Sequence, residues 1–209
     1  KQGLLACVFT FDPSPAVFFG KGNAVELTTR EEKRKLFEQM GVDVLVEFPM
    51  NERTAKISPE AFVKEVLAGM LQAKYVAAGE DVSFGDKGAG NADLLKQLSE
   101  TLGYQLSLIS KVCYEGKEVS STYVRECVEQ GDMELAKALL GKPYSVEGEV
   151  LHGYKLGRKL DMPTTNMCPP ERKLLPPFGV YFSKVSLWDE EKSDWDTYGG
   201  ITNIGLKPT

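Results

Sequence analysis

Histidine is almost missing from this chain: His152 is the single one in 209 residues. That scarcity excludes a histidine-clustered metal centre, and it excludes a Ser–His–Asp triad unless His152 itself serves. Cysteine is sparse as well. Cys7, Cys113, Cys127 and Cys168 lie far apart and form no CxxC pair. Neither a zinc knuckle nor a disulfide framework is expected, and the thiols read as buried or incidental in a reducing cytosol. Long apolar runs are absent too, since the longest, around Leu4–Phe11, falls well short of the roughly 20 residues that cross a bilayer. The first residues show no basic region leading into a long apolar stretch and a cleavage site. The expected location is therefore cytoplasmic, with no membrane partner. Positive charge is not in excess either: the net charge is −5, which argues against a nucleic-acid-coating protein and leaves room for a local basic site.

What is present is ordinary globular material, 42% hydrophobic and 26% charged, in a length suited to one and a half to two domains. From Leu4 to Leu140 short apolar runs alternate with amphipathic stretches. LLACVFTF, VDVLVEF, KYVAAG and YQLSLIS read as strands. Between them come a charged helix capped by Thr28 with Glu31 and ended by Gly41, and a helix opened by Ser58–Pro59. The latter places Phe62, Val63, Val66, Leu67 and Met70 on one face. ADLLKQLSETLG is a third helix, closed by Gly103, and VSSTYVRECVEQ starts a fourth. Continuously apolar strands alternating with helices imply a parallel sheet covered on both faces, with ligands at the strands' carboxyl ends. A short helix, Met133–Leu140, then meets Gly141 and Pro143, which mark a boundary. Beyond it YSVEGEVLHG, PPFGVYFSKVSLW and TYGGITNIG are β-rich and glycine-punctuated, as in an antiparallel sheet or small barrel, with DEEKSD a solvated hairpin loop.

Several stretches could bind phosphate. In VSSTYVR, the hydroxyls of Ser121 and Thr122 stand where a strand-end loop enters a helix, and Arg125 follows one turn later. A helix start stabilises an anion and an arginine clamps it in two places, although a serine or threonine there also serves simply as an N-cap. GEDVSFGDKGAG offers Asp81 as acceptor from a ribose or amino group, with Gly85, Gly88 and Gly90 for close backbone approach or positive φ. It matches neither a P-loop nor GxGxxG, and taken in isolation a flexible βα loop is the favoured explanation. In FTFDPSP, Asp12 reads as a turn cap. In the second half, Gly153 and Gly157 bracket Tyr154, Lys155 and Leu156 ahead of Arg158 and Lys159, a spacing that lets a loop fold over phosphates. Thr164 and Asn166, in PTTN, supply neutral oxygens that suit Mg²⁺ shared with substrate phosphates; a β-hairpin with a proline turn is the plain alternative.

These motifs together resemble the bacterial bifunctional riboflavin kinase/FAD synthetase family. The resemblance runs through FTFDPSP, ISPEAFVKEVL, AGEDVSFG, VSSTYVR, LLGKPYSVEGEVLHGYKLGRKLDMPTTN, KLLPPFGVYF and GGITNIGLKPT, in the family's order, across essentially the whole chain. It implies a Rossmann-like α/β FMN adenylyltransferase domain over 1–142 and a riboflavin kinase-like antiparallel β-barrel over 143–209. Ser121, Thr122 and Arg125 match the family's triphosphate motif, and Asp81 lies where it binds nucleotide or flavin. Thr164 and Asn166 match its Mg²⁺- and ATP-contacting pair, and Gly153–Gly157 its phosphate flap. The implied chemistry is ATP-dependent phosphorylation of riboflavin to FMN and adenylylation of FMN to FAD, with Mg²⁺. Its partners are small-molecule ATP and flavins, with weak self-association and no nucleic acid.

There are departures. The family's HxGH motif precedes the first matched strand, and a chain whose one histidine is His152 does not contain it. The kinase half reaches Thr209 before the family's general-base carboxylate. Ser14 stands where histidine is frequent, Asp161 where glycine is usual and Thr165 where alanine is. The expectation is a fragment lacking the first strand and the kinase C-terminal part, inactive or nearly so by itself. A non-catalytic flavin or nucleotide carrier that kept the loops and lost the chemistry is the alternative.

Overall fold

A computed structural model describes residues 3–20, 25–151 and 164–206. The chain divides into two compact units, Lys1–Val119 and Ser120–Thr209.

In the first unit, β1 (Cys7–Asp12) pairs in parallel with β2 (Val44–Pro49), and β3 (Tyr75–Gly79) with β4 (Gln105–Ile109). These are the four apolar runs of the sequence, trimmed at their ends. The parallel arrangement follows from the intervening helices, because a crossover has to return the chain to the same edge. Between β1 and β2 lie α1 (Pro15–Phe18) and α2 (Arg30–Gln39). Between β2 and β3, α3 (Pro59–Ala61) opens on the Ser58 cap and widens into a π-helical stretch, Phe62–Met70. Between β3 and β4 runs α4 (Ala92–Leu102), capped by Asn91 and closed by left-handed Gly103.

The core gathers on one side of the strands. Phe62, Val63, Val66, Phe84, Leu95, Leu98 and Tyr104 are buried together, with Phe9, Phe11, Phe48, Val76 and Leu106 packed against them. The ring of Phe9 lies 5.3 Å from those of Phe11, Phe48 and Phe62. Of these four rings Phe62 is buried and the others partly so, and full burial of such a ring stabilises the fold by roughly 1.5–3 kcal/mol. The expected sheet covered on both faces is not what forms among the described residues. The strands make two separate pairs, and Tyr75 and Ile109, of opposite phase to Val76 and Leu106, are exposed.

Two further expectations are corrected. The cap of α2 is Thr29 with Glu32, one residue later than Thr28 with Glu31. TTREE satisfies the capping-box spacing in both registers, and burial of Thr29 and Glu32 selects the later one. Met70 is exposed rather than on the core face. Once bonding shifts to i→i+5, as in Leu71 N–H to the Val66 carbonyl, a spacing of four no longer returns to the same side. After β4, a short antiparallel ribbon joins β5 (Cys113–Tyr114) to β6 (Lys117–Glu118).

The second unit opens with α5 (Ser121–Gln130) and α6 (Met133–Leu140), each ended by a left-handed glycine, Gly131 and Gly141. Their inner residues Val124, Cys127, Val128 and Ala136 are buried. Cys127 is the one buried thiol; Cys7, Cys113 and Cys168 are exposed. The rest is antiparallel: β7 (Val150–Leu151) pairs with β8 (Asn166–Met167), and β9 (Gly179–Asp189) with β10 (Asp194–Ile204). Trp188 and Trp195 meet across the long hairpin, 5.4 Å apart, and the DEEKSD turn is held by Lys192 paired with Asp189 and Asp196. No closed sheet forms among the described residues. Tyr144 ties the entry to this unit by donating to the Leu174 carbonyl at 2.8 Å, with the Lys173 ammonium 4.6 Å above its ring.

Candidate functional sites

Strands β3 and β4 leave their sheet side by side. Gly79 is opposite Ile109, the Glu80 N–H donates to the Ile109 carbonyl at 3.2 Å, and Ser110 Oγ donates to Glu80 Oε1 at 2.9 Å. Asp81 follows at this carboxyl end, its side chain 66% exposed. Its carboxylate is bridged at 3.1 Å by Lys111, whose Nζ also reaches Glu118 Oε1 at 2.6 Å. Hydrogen bonds donated to Glu118 and Asp81 raise the Lys111 pKa, so the ammonium stays charged at any physiological pH. Lys111 and Glu118 are absent from the sequence-based candidates. The position of Lys111, two residues past the last apolar residue of YQLSLIS, is the signal that would have found it.

The glycines behind Asp81 answer to the protein itself. Gly85 and Gly88 have φ of +74° and +68°, and a Cβ on Gly85 would lie 2.7 Å from Pro59. A Cβ on Gly90 would meet the Phe84 ring at 2.6 Å. Ser83 Oγ donates to the Gly88 carbonyl at 3.0 Å. Close packing on Pro59, Ser83 and the core residue Phe84 thus accounts for Gly85, Gly88 and Gly90 in turn.

At the start of α5 the capping question resolves. Ser120 is the N-cap, its Oγ accepting from the Tyr123 N–H at 3.2 Å. Ser121 and Thr122 occupy the first helical positions and are exposed, and Arg125 is half-buried one turn on. The helix therefore keeps its cap without spending either later hydroxyl. The positive helix end and two exposed hydroxyls in the first turn fit an anion chemically.

In the second unit Asn166 is in β8 opposite Leu151, with Thr164 two residues earlier in irregular chain; both are exposed. Their side-chain oxygens are neutral. Such a donor set fits a magnesium ion that draws its anionic ligands from substrate phosphates. Gly153 and Gly157, with His152, Lys155, Arg158 and Asp161, lie outside the described residues. Among the described residues no cluster of three or more His, Cys, Asp or Glu is placed to hold a metal ion.

Asp12 is not a turn cap. Its carboxylate pairs with Arg30 at 2.9 Å, and Arg30 grips Glu47 with two bonds of 2.9 and 2.8 Å. Arg34 also bonds Glu47. Hydrogen bonds from the two arginines hold the Glu47 carboxyl down at about 2, against the usual 4.5. A cleft of about 390 Å³ beside this cluster is lined by Arg34, Phe37, Val42, Asp43, Leu45 and Glu47. None of these is a sequence-based candidate, and the two charged groups best placed for a ligand already satisfy each other.

Comparison with known proteins bears on both halves. A family model described as FAD synthetase matches residues 1–123, and one described as riboflavin kinase matches 140–209. The chain is similar to proteins named bifunctional riboflavin kinase/FMN adenylyltransferase. It is 36% identical over its whole length to the one from Buchnera aphidicola subsp. Schizaphis graminum, covering 66% of that protein. For Bacillus subtilis (strain 168) the identity is 34%, again over the whole chain, with 64% of the relative covered. For Escherichia coli (strain K12) the figures are 32% and 65%. The chain thus spans about two thirds of the length of these curated relatives. A solved structure described as a macrolide-efflux protein from Streptococcus pneumoniae superposes with a TM-score of 0.83 at 25% identity, over 99% of this chain and 65% of that one. Among the described residues no helix is long and apolar enough to cross a membrane.

Proposed function

The chain belongs to the FAD synthetase family, and from that premise we propose that its parent activity is the making of both flavin cofactors: riboflavin is phosphorylated to FMN, and FMN adenylylated to FAD, with Mg·ATP in each case. The observation that carries the proposal is the succession of two family matches along one chain, adenylyltransferase then kinase. We take 1–142 as the adenylyltransferase portion and 143–209 as the kinase portion, the latter contributing strands to a β-barrel. The small-molecule substrates support a cytoplasmic location, and weak self-association is part of the same proposal. No observation favours a carrier that has lost the chemistry.

For adenylyl transfer, Ser121, Thr122 and Arg125 are the proposed contacts to the triphosphate. Ser120 satisfies the helix end, so Ser121 and Thr122 can donate to phosphate oxygens as charge moves onto departing pyrophosphate. Arg125 fits that role because a guanidinium meets two oxygens at once. Asp81 accepts from the nucleotide or flavin. For phosphorylation, Thr164 and Asn166 orient the metal-bound nucleotide and Gly153–Gly157 covers it. Magnesium, when bound, neutralises charge on the phosphates. Phosphoryl transfer asks for little else than alignment and charge neutralisation, so no nucleophilic side chain is required.

Supplying the complete gene product with riboflavin and Mg·ATP, and separating the flavins by chromatography, tests this directly. FMN is expected first and FAD after it. Riboflavin left untouched at saturating Mg·ATP would contradict the proposal.

A further inference from the structure

The ion-pair cluster where β3 and β4 end is not explained by stability. All three of its paired side chains are 43–66% exposed, and exposed ion pairs contribute roughly 0–1 kcal/mol. Its composition is also unfavourable for the substrates named above. Asp81 and Glu118 share the Lys111 ammonium, and the neighbouring Glu80 accepts from Ser110 instead, so three carboxylates gather at this strand end. ATP and FMN are themselves anionic, so a locally negative strand end repels them. One side chain offsets that charge and at the same time fixes Asp81.

We propose that Lys111 is a positioning residue for adenylyl transfer: it pins the Asp81 carboxylate at the carboxyl end of β3 and, through Glu118, cancels charge that would oppose an anionic nucleotide. The geometry supports both parts. A lysine carries three donors on one nitrogen, and here two of its neighbours are carboxylates from different elements, the turn after β3 and the β5–β6 ribbon. The Val119 N–H donates to the Val112 carbonyl at 2.8 Å, so the ribbon is tethered to the same stretch of chain that carries Lys111. Lys111 therefore sets where Asp81 and Glu118 stand relative to each other.

The inference rests on the adenylyl-transfer reading, and the test separates the two. In the complete gene product, Lys111→Ala should raise KM for Mg·ATP in FMN adenylylation about tenfold at low salt, with kcat changed little, because the lost term is field at the site rather than chemistry. The increase should shrink in about 0.5 M KCl, where charges are screened within a few ångströms. Glu118→Gln added to Lys111→Ala should recover most of the KM, and Lys111→Arg should behave like wild type. KM for Mg·ATP in riboflavin phosphorylation should stay put. A KM within twofold of wild type overturns the inference. So does an increase that persists in salt, that the second substitution fails to relieve, or that appears equally in the kinase reaction, since each marks general structural damage. A wild-type protein with no adenylyl transfer would remove the reading itself; an active wild type with an unaffected variant removes the role of Lys111 alone.

Discussion

Arg30 and Arg34, one turn apart on α2, converge on Glu47 of β2 and keep its carboxyl at about 2. A folded-state value below the usual 4.5 means stability that is complete above pH 4.5 and lost as the pH falls towards 2. The Glu47 side chain is 15% exposed but its arginine partners are half exposed, which limits the net contribution to roughly 1–2 kcal/mol. Urea denaturation at pH 7, 4.5 and 2.5 checks this. Glu47→Gln should be less stable than wild type at neutral pH and should lose less on acidification; parallel pH profiles would contradict it. Little of this cluster was legible beforehand. Arg30 and Arg34 are distant in sequence from Glu47 and carry no motif with it, and Asp12 looked like a local turn residue because its partner comes eighteen positions later. Thr164 and Asn166, by contrast, are proposed from a four-residue block alone, because a motif names residue types even where no contact can be foreseen.

At the level of single elements, the entry to α5 separates capping from binding. Ser120→Ala removes the bond to the Tyr123 N–H and should cost about 1 kcal/mol. Ser121→Ala removes no cap and should leave thermal stability nearly unchanged while depressing adenylyl transfer. Equal loss of stability in the two variants would show that the cap is shared. The turn around Phe84 makes the opposite point about glycine. Gly90→Ala drives a methyl to within 2.6–2.8 Å of that ring, and overpacking of this kind costs about 1–3 kcal/mol. A melting temperature equal to wild type would mean the turn relaxes freely. Glycine content suggested a ligand-binding loop when read along the sequence; packing on Phe84 and Pro59 is a three-dimensional reason that no linear pattern displays. The starts of the longer helices were legible to within a residue, since caps and glycines are local signals, whereas the short α1 was not read. The slip from Thr28 to Thr29 arose because TTREE fits two registers and only burial distinguishes them.

Over the whole molecule, the change from alternating helix and strand to antiparallel β was visible from composition alone. Pairing was less so. Strands β1 to β4 pair in parallel as their apolar character implies, but periodicity carries no information on which pairs join, and they form two pairs. The β9–β10 hairpin shows the same limit. Its β character was readable, yet Phe182 is 96% and Ile201 73% exposed, because hydrophobic character says that a segment suits burial, not that something covers it. The two family matches follow one another along the chain, and the proposed division between two chemistries sets the sharpest expectation. Both activities should be measured side by side in Arg125→Ala and Asn166→Ala of the complete gene product, with circular dichroism confirming that each is folded. Arg125→Ala should lose FMN adenylylation and keep riboflavin phosphorylation, and Asn166→Ala should do the reverse; a folded variant in which both activities fall together would contradict two independent sites.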